Sequence, residues 1–346
     1  MKSVRDGIVG FILCAVGLMV VLCSMPAARA QSVAEFYKGK SLDFDIGYSV
    51  GGGYDLYARL IAPRLGGHIP GNPNVVPKNM EGAGSLRLAN FLYSAAPRDG
   101  TVIGAISRGA AFDPLFNESG ANFDASKFSW IGSANNEVSV CVALTSSGIT
   151  QFDDLYTQPL TIGSTGAGDD TYQFPALLNA VLGTKFKIVT GYPGGNDVTL
   201  ALERGEVQGR CGWSWSSLKA TRLNWVLRKR IVVLVQLSLS KHPDLPNVPL
   251  IMDLAKTDEQ RAIFRMIFAR QTMGRPYAAP PGLPEDRLQA LRKAFMDTMT
   301  DKEFLYDADQ NKFEINPVDG DQLEALVKEI YRTPSDVVRK VARMLQ

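Results

Sequence analysis

The chain has 346 residues, 45 % of them hydrophobic, with 37 basic and 35 acidic side chains and a formal net charge of +2. So even a balance offers neither nucleic acid nor an anionic membrane surface a basic partner. The two histidines, His68 and His242, stand far apart, and there is no CxxC spacing, so a metal enzyme or a Ser-His-Asp hydrolase would lack its usual side chains.

Lys2 and Arg5 begin the chain, Ile8 to Met25 is an almost uninterrupted apolar run, and Pro26 to Ala30 supplies an A-x-A site. This is the pattern of a secretory signal peptide over residues 1–30, cleaved after Ala30. An uncleaved anchor is the alternative, because 18 apolar residues just suffice to span a membrane. A lipoprotein site at Cys23 would have the large Leu22 where a small residue is expected. Cleavage removes three basic residues and one acidic, which leaves 34 of each sign in the 316 residues that follow. No segment of those approaches 18 consecutive apolar positions, so the expected product is soluble and periplasmic. Its length suits two domains. Only Cys141 and Cys211 remain after cleavage. An oxidising compartment permits them to pair, yet each sits in a strand-like run where cysteine also serves as a small core residue. Pairing stays open.

In chain order, "SLDFDIGYSV" predicts a strand with Leu42, Phe44 and Ile46 on one face. Leu56, Tyr57, Leu60 and Ile61 follow at helical spacing, and Pro63 is expected to limit that helix. "NVVPKNM" is a short extended piece. A helix then opens at Ser85 with Leu88, Phe91 and Leu92 inward, and Pro97 ends it; "TVIGAIS" is the next strand. This β-α-β-α-β order implies a mostly parallel sheet with helices on its faces. The pattern restarts near Val138 with strands at "SVCVALT" and "LTIGS". Asp170 and Gln173 resemble a capping box for a helix carrying Phe174, Leu177, Leu178 and Val181, with Pro175 in its first turn and Gly183 as its stop. "KFKIVTGY" is a strand, and Val198, Ala201 and Leu202 mark a helix ending at Gly205. "EVQGRCGW" and "IVVLVQLSL" are strands, followed by helical segments near 257–270, 284–300 and 319–345. No repeat or low-complexity tract is visible.

Three loops share one plan of strand, glycine-rich turn and helix start: Ser49 to Asp55, Ser164 to Asp170, and Tyr192 to Asp197. In a parallel α/β sheet such turns lie at the carboxyl ends of strands, where ligands bind. Each exposes free N–H groups at a helix N-terminus, which attracts an anion without any lysine. The triplet Gly51, Gly52, Gly53 runs into Tyr54, Asp55 and Leu56, so GxGxxG lacks its last glycine. No lysine follows any of the loops, so GxxxxGK[ST] is absent too, and a nucleotide is disfavoured. The plainer reading is a set of tight turns in which Asp55, Asp170 and Asp197 cap helices. Its repetition in one chain favours a shared anion. Gly52 and Gly166 are expected to tolerate a side chain poorly. Arg108, after a strand in "ISRGAAF", is the cation expected for a carboxylate, a solvated surface arginine being the alternative. Trp213 and Trp215 share one face if extended, and Trp213 is the expected ligand platform, a core tryptophan being the alternative.

Taken together, "GYSVGGGYDLYARLIA", "EGAGSLRLANFLYSAAPRDGTVIG" and "GYPGGNDVTLALERGEVQG" resemble the Bug family of periplasmic solute-binding proteins, the TctC-like receptors of tripartite tricarboxylate transporters. The similarity covers essentially the whole chain after the leader. It implies a periplasmic-binding-protein type II fold of α/β class, with one domain over residues 31–136 plus 241–346 and a second over residues 137–240. A hinge crossed twice would separate them and leave a deep cleft between. It also implies a small organic carboxylate as ligand, held largely by backbone groups and waters, a membrane permease as partner, a monomeric state, and no cofactor, metal or catalytic residue.

Carried onto this chain, the first family loop offers Tyr48, Ser49, Gly51, Gly52, Gly53, Tyr54 and Asp55. The facing loop offers Ser164, Thr165, Gly166, Ala167, Gly168 and Asp169, and the Y-x-G-G element Tyr192, Gly194, Gly195 and Asn196. "SRGAAF" and "RCGWSWSS", which hold Arg108 and Trp213, depart from the commoner family pattern, so the identity of the acid stays open. The expected function is a secreted, non-catalytic carboxylate receptor. An exported enzyme acting on a small acid and a ligand-sensing partner of a signalling receptor are the alternatives. Neither His68 nor His242 sits in a glycine loop where an enzyme would need it; both occupy turn-like stretches expected to face solvent.

Overall fold

A computed structural model describes residues 31–116 and 120–345, so the leader expected over residues 1–30 lies outside the described residues. A single helical turn, α1 (Val33–Tyr37), is held by a capping box between Ser32 and Glu35. Strand β1 (Ser41–Ile46) buries Leu42, Phe44 and Ile46 as their alternation requires. The next helix, α2 (Gly53–His68), runs on through Pro63 instead of ending near it. Its buried stripe is Tyr57, Ala58, Ile61, Ala62 and Leu65, so Leu56 and Leu60 lie at the margin.

After β2 (Asn74–Asn79) comes α3 (Leu86–Ser94), with Leu88 and Leu92 fully buried. Ser85 gives this helix no side-chain cap. Its backbone is left-handed at φ 79°, and its hydroxyl accepts instead from the Ser107 N–H at 3.1 Å. The remaining elements are β3 (Val102–Ala105), β4 (Ser129–Ser133), β5 (Ser139–Leu144), β6 (Leu160–Gly163), α4 (Asp170–Leu182), β7 (Phe186–Val189), α5 (Gly195–Arg204), β8 (Gly209–Ser214), α6 (Trp215–Leu227), β9 (Ile231–Leu237), α7 (Asp258–Phe268), β10 (Pro276–Ala279), α8 (Glu285–Thr300), α9 (Lys302–Gln310), β11 (Val318–Asp319), α10 (Gly320–Ile330) and α11 (Ser335–Met344).

The fold is mixed α/β with two sheets. One has six strands in the order β11-β4-β10-β3-β1-β2, the other five in the order β7-β6-β8-β5-β9. The parallel pairs are those expected from βαβ order: β1 with β2 and β3, and β6 with β7 and β8. Neither sheet is mostly parallel, however. β10 runs antiparallel between β3 and β4, and β5 runs antiparallel to both β8 and β9. Strand β10 arrives from more than 140 residues further along the chain than β4, a pairing that local pattern cannot announce.

Every strand of the first sheet falls within residues 41–133 and 276–319, and every strand of the second within 139–237. Helices α7 and α11 cross back toward the second sheet: α11 packs on α4, and Gln260 of α7 donates to the Val181 carbonyl at 2.9 Å. The largest apolar cluster accordingly joins Leu88 and Leu92 of α3 to Phe174 of α4, Cys211 of β8 and Phe268 of α7. The helix expected over 319–345 is two helices, because Pro334 ends the run and caps α11. A disulfide joins Cys141 on β5 to Cys211 on the neighbouring β8. Among the described residues no helix is long and apolar enough to cross a membrane.

Candidate functional site

The three glycine turns join strand to helix as expected: β1 to α2, β6 to α4 and β7 to α5. The N-cap positions of their helices are Gly52, Asp169 and Gly194, not Asp55, Asp170 and Asp197. The turns face one another. Tyr48 donates its hydroxyl to Asp169 at 3.0 Å, and Ser49 donates to Asp197 at 2.5 Å, so the first loop is tied to both of the others. A cavity of about 40 Å³ remains between them, bounded by Tyr48, Gly52, Gly53 and Tyr54 of the first loop, Thr165 and Asp169 of the second, and Gly195 of the third. Arg108 and Trp213 complete the expected part of its lining.

Other expected residues stand elsewhere. Gly51 and Asn196 line a small adjoining recess. Gly166, Ala167 and Tyr192 line a separate, wider pocket with Gly82 and Ala83. Ser49, Asp55, Ser164, Gly168 and Gly194 line neither the cavity nor those two pockets. Asp55 is 1 % exposed and holds its own loop together: one oxygen accepts from the Gly51 N–H at 2.9 Å, the other from Arg59 and Asn79 at 2.8 Å each. Crowding distinguishes the two glycines expected to resist a side chain. A Cβ on Gly166 would stand 2.8 Å from the Gly84 nitrogen, whereas one on Gly52, at φ −82°, would meet nothing nearer than 3.6 Å. Gly52 has room.

Asp170 and Gln173 do not form a capping box. Asp169 caps α4, while Asp170 turns inward to bind Arg108 and Arg270, and Gln173 accepts from Arg270 at 2.6 Å. Arg108 is not a surface residue. It is 2 % exposed, gives Nε to Asp170, and donates from its two Nη atoms to the Gly274 carbonyl at 3.2 Å and to Ser139 and Ser214 at 3.1 Å. Burial works against its charge, but Asp170, Tyr54 and Glu137 together more than offset this and raise the pKa. Asp169 is shifted upward by burial and then by Asp170, against the pull of the Thr165, Tyr48 and Thr171 hydroxyls.

Thr171, Arg210, Gly212, Ser214, Ser217 and Arg275 also line the cavity, and sequence reasoning did not single them out. Arg275 comes from just before β10 and reaches Glu137 at 3.3 Å and Ser217 at 2.7 Å. Arg210, on β8, donates from Nη1 to the Gly195 carbonyl at 2.8 Å and to Thr199 at 3.1 Å, and its guanidinium lies 4.4 Å over the Trp213 ring. Its Nε has no hydrogen-bond partner, and among the described residues no carboxylate approaches within 4 Å. Burial pushes this guanidinium down to about 9. A signal existed: an arginine inside a strand as apolar as "GRCGW" is costly to bury unless something anionic meets it.

Trp215 does not share a face with Trp213, because β8 ends at Ser214 and Trp215 opens α6, where its indole donates to Asp244 at 3.0 Å. Neither histidine faces solvent freely. His68 contacts Asp301 at 3.3 Å and His242 contacts Glu314 at 3.1 Å. His242, Asp244 and Glu314 lie close enough to hold a metal ion, but the Lys219 ammonium already sits against both carboxylates, at 2.7 Å and 2.5 Å.

No family model matches the chain. A Pseudomonas sp. strain P51 protein described as "UPF0065 protein in tcbD-tcbE intergenic region" is 28 % identical over 235 residues, 66 % of this chain and 67 % of that one. The structure of the periplasmic binding protein BugD superposes with a TM-score of 0.71 at 18 % identity, over 88 % of this chain and 98 % of its own. MatC from Rhodopseudomonas palustris with bound malate gives 0.68 at 18 % identity, over 87 % and 99 %. Another R. palustris protein, solved with adipate, gives 0.68 at 18 % identity, over 88 % and 98 %. The resemblance read from the glycine loops is thus borne out, and the chain has the two-sheet α/β fold of the Bug-type periplasmic binding proteins.

Proposed function

We propose that the protein is a periplasmic receptor that captures a small organic carboxylate between its two sheets and delivers it to a membrane permease of the tripartite tricarboxylate type. One observation carries the reading: a cavity between the glycine turns has three guanidinium groups and one carboxylate in its lining. The N-termini of α2 and α5, at Gly53 and Gly195, border the same space and add their positive ends. Fold relatives solved with malate and with adipate support an acid as the ligand. The lining contains no histidine, cysteine or lysine, so an enzyme at this site would have only Asp169 as its base.

In this reading residues 31–136 with 241–346 form one domain and residues 137–240 the other, with a hinge at the two crossings. The Tyr48–Asp169 and Ser49–Asp197 contacts belong to its closed form. The leader over residues 1–30 directs export. A thermal-shift screen of mono-, di-, tri- and aromatic carboxylates tests the proposal, since a ligand that binds only the native state raises Tm by mass action. At least one acid is expected to raise Tm and to be recovered chemically unchanged. No shift with any acid, or turnover of the acid that binds, would reject the receptor.

A further inference from the structure

We propose that Arg210 sets the ligand class, receiving a single carboxylate in a site that prefers a short monocarboxylate to a dicarboxylate. This rests on the receptor reading above and narrows it. Four buried arginines surround the cavity region, and three are already matched: Arg108 and Arg270 by Asp170, and Arg275 by Glu137. Arg210, 8 % exposed, is the unmatched one. Asp169 attracts it only from beyond ion-pair distance, and a buried charge without a paired partner is strongly unfavourable, so a carboxylate arriving at its free Nε supplies both the charge and the missing acceptor. The planar fork of a guanidinium suits that group better than an ammonium would.

The rest of the lining argues against a second carboxylate. Arg108 has spent Nε and both Nη atoms on partners. Arg275 gives its Nη atoms to the Gly274 carbonyl and Ser217 and pairs with Glu137. Among the rest of the lining no further side chain is positively charged. Tyr48 and Tyr54 stack with their centroids 4.5 Å apart, Trp213 lies under Arg210, and Asp169 is a carboxylate whose oxygens are already hydrogen-bonded. A second anionic group would meet Asp169, and the other guanidinium of the lining with an unpartnered nitrogen, Arg275 through its Nε, is already paired with Glu137. The cavity, about 40 Å³, is small as well.

Calorimetric titration of the protein lacking residues 1–30 tests this with matched acids: propionate against malonate, and butyrate against succinate. The wild type is expected to bind at least one monocarboxylate ten or more times more tightly than its dicarboxylate counterpart. Arg210→Gln should weaken that monocarboxylate at least tenfold, and Arg210→Lys, which keeps the charge without the fork, by less. The wild-type preference is read whether or not either variant folds. A dicarboxylate bound more tightly than its counterpart, or a folded Arg210→Gln variant with wild-type affinity, overturns the assignment and leaves the receptor standing. Failure of every carboxylate to bind the wild type removes both.

Discussion

Arg108 and Asp170 form an ion pair between the segment after β3 and the first turn of α4, with both side chains only 3 % exposed. It joins the part of the chain that builds the six-stranded sheet to the part that builds the five-stranded one. Asp170 also holds Arg270 at 3.2 Å, so one carboxylate anchors two guanidinium groups from distant segments. Removing one partner of a buried pair leaves the other uncompensated, typically at about 3–5 kcal/mol. Here Arg270 remains to neutralise Asp170, so Arg108→Met is expected to cost about 3 kcal/mol, the low end of that range. Urea unfolding of the variant measures it. An unchanged midpoint would show that Arg270 alone satisfies Asp170.

Much of this was legible in the sequence, and the division has physical causes. The alternation of Leu42, Phe44 and Ile46 and the stop at Gly205, which sits left-handed at φ 73°, are local signals that the structure repeats. The glycine turns were visible for the same reason. Arg210 and Arg275 were not, because their place at the cavity follows from strand pairing: β8 against β5, and β10 between β3 and β4. Asp170 looked like a helix cap because nothing local reveals that Arg108, 62 residues earlier, turns inward to meet it.

Gly53 and Gly52 are neighbours with opposite tolerance. A Cβ on Gly53 would stand 2.0 Å from the Ser217 hydroxyl and 3.0 Å from an Nη of Arg275, so Ser217 or the loop must move. Gly53→Ala should therefore lose about 1–3 kcal/mol, the usual range for overpacking. Gly52→Ala meets only ordinary contacts at 3.6 Å and should stay within about 1 kcal/mol of the wild type, the scale of a helix N-cap change. Paired denaturation curves decide it; equal losses at the two positions would mean the Ser217 side simply yields.

The Cys141–Cys211 disulfide closes a loop of 70 residues in sequence and lies in the core, with both residues fully buried. In the chain-entropy account, a closure of this length stabilises by about 4 kcal/mol. Reduction verified by mass spectrometry should lower Tm by roughly 10 °C, at about 2–4 °C per kcal/mol for a protein of this size. A fully reduced protein that melts where the oxidised one does would assign the pair no stabilising role.

Asp45 lies in β1 with its side chain largely buried, and the desolvation this imposes, with Asp43 two residues away adding repulsion, raises its pKa from the ordinary 3.8 to about 6. Lys78, opposite it in β2, pulls the other way but does not win. Because the folded value exceeds the unfolded one, the native state holds the proton more tightly between about pH 4 and 6. Stability is then greatest below that window and falls as pH rises through it. Asp45→Asn cannot ionise and escapes the loss. Above pH 7 it should be more stable than the wild type by roughly 1 kcal/mol once partial solvent screening is allowed for, and near pH 4 the gain should vanish. Melting curves of the two proteins from pH 4 to 8 give the difference directly. A gap of constant size across that range would show that the benefit of asparagine owes nothing to the buried charge.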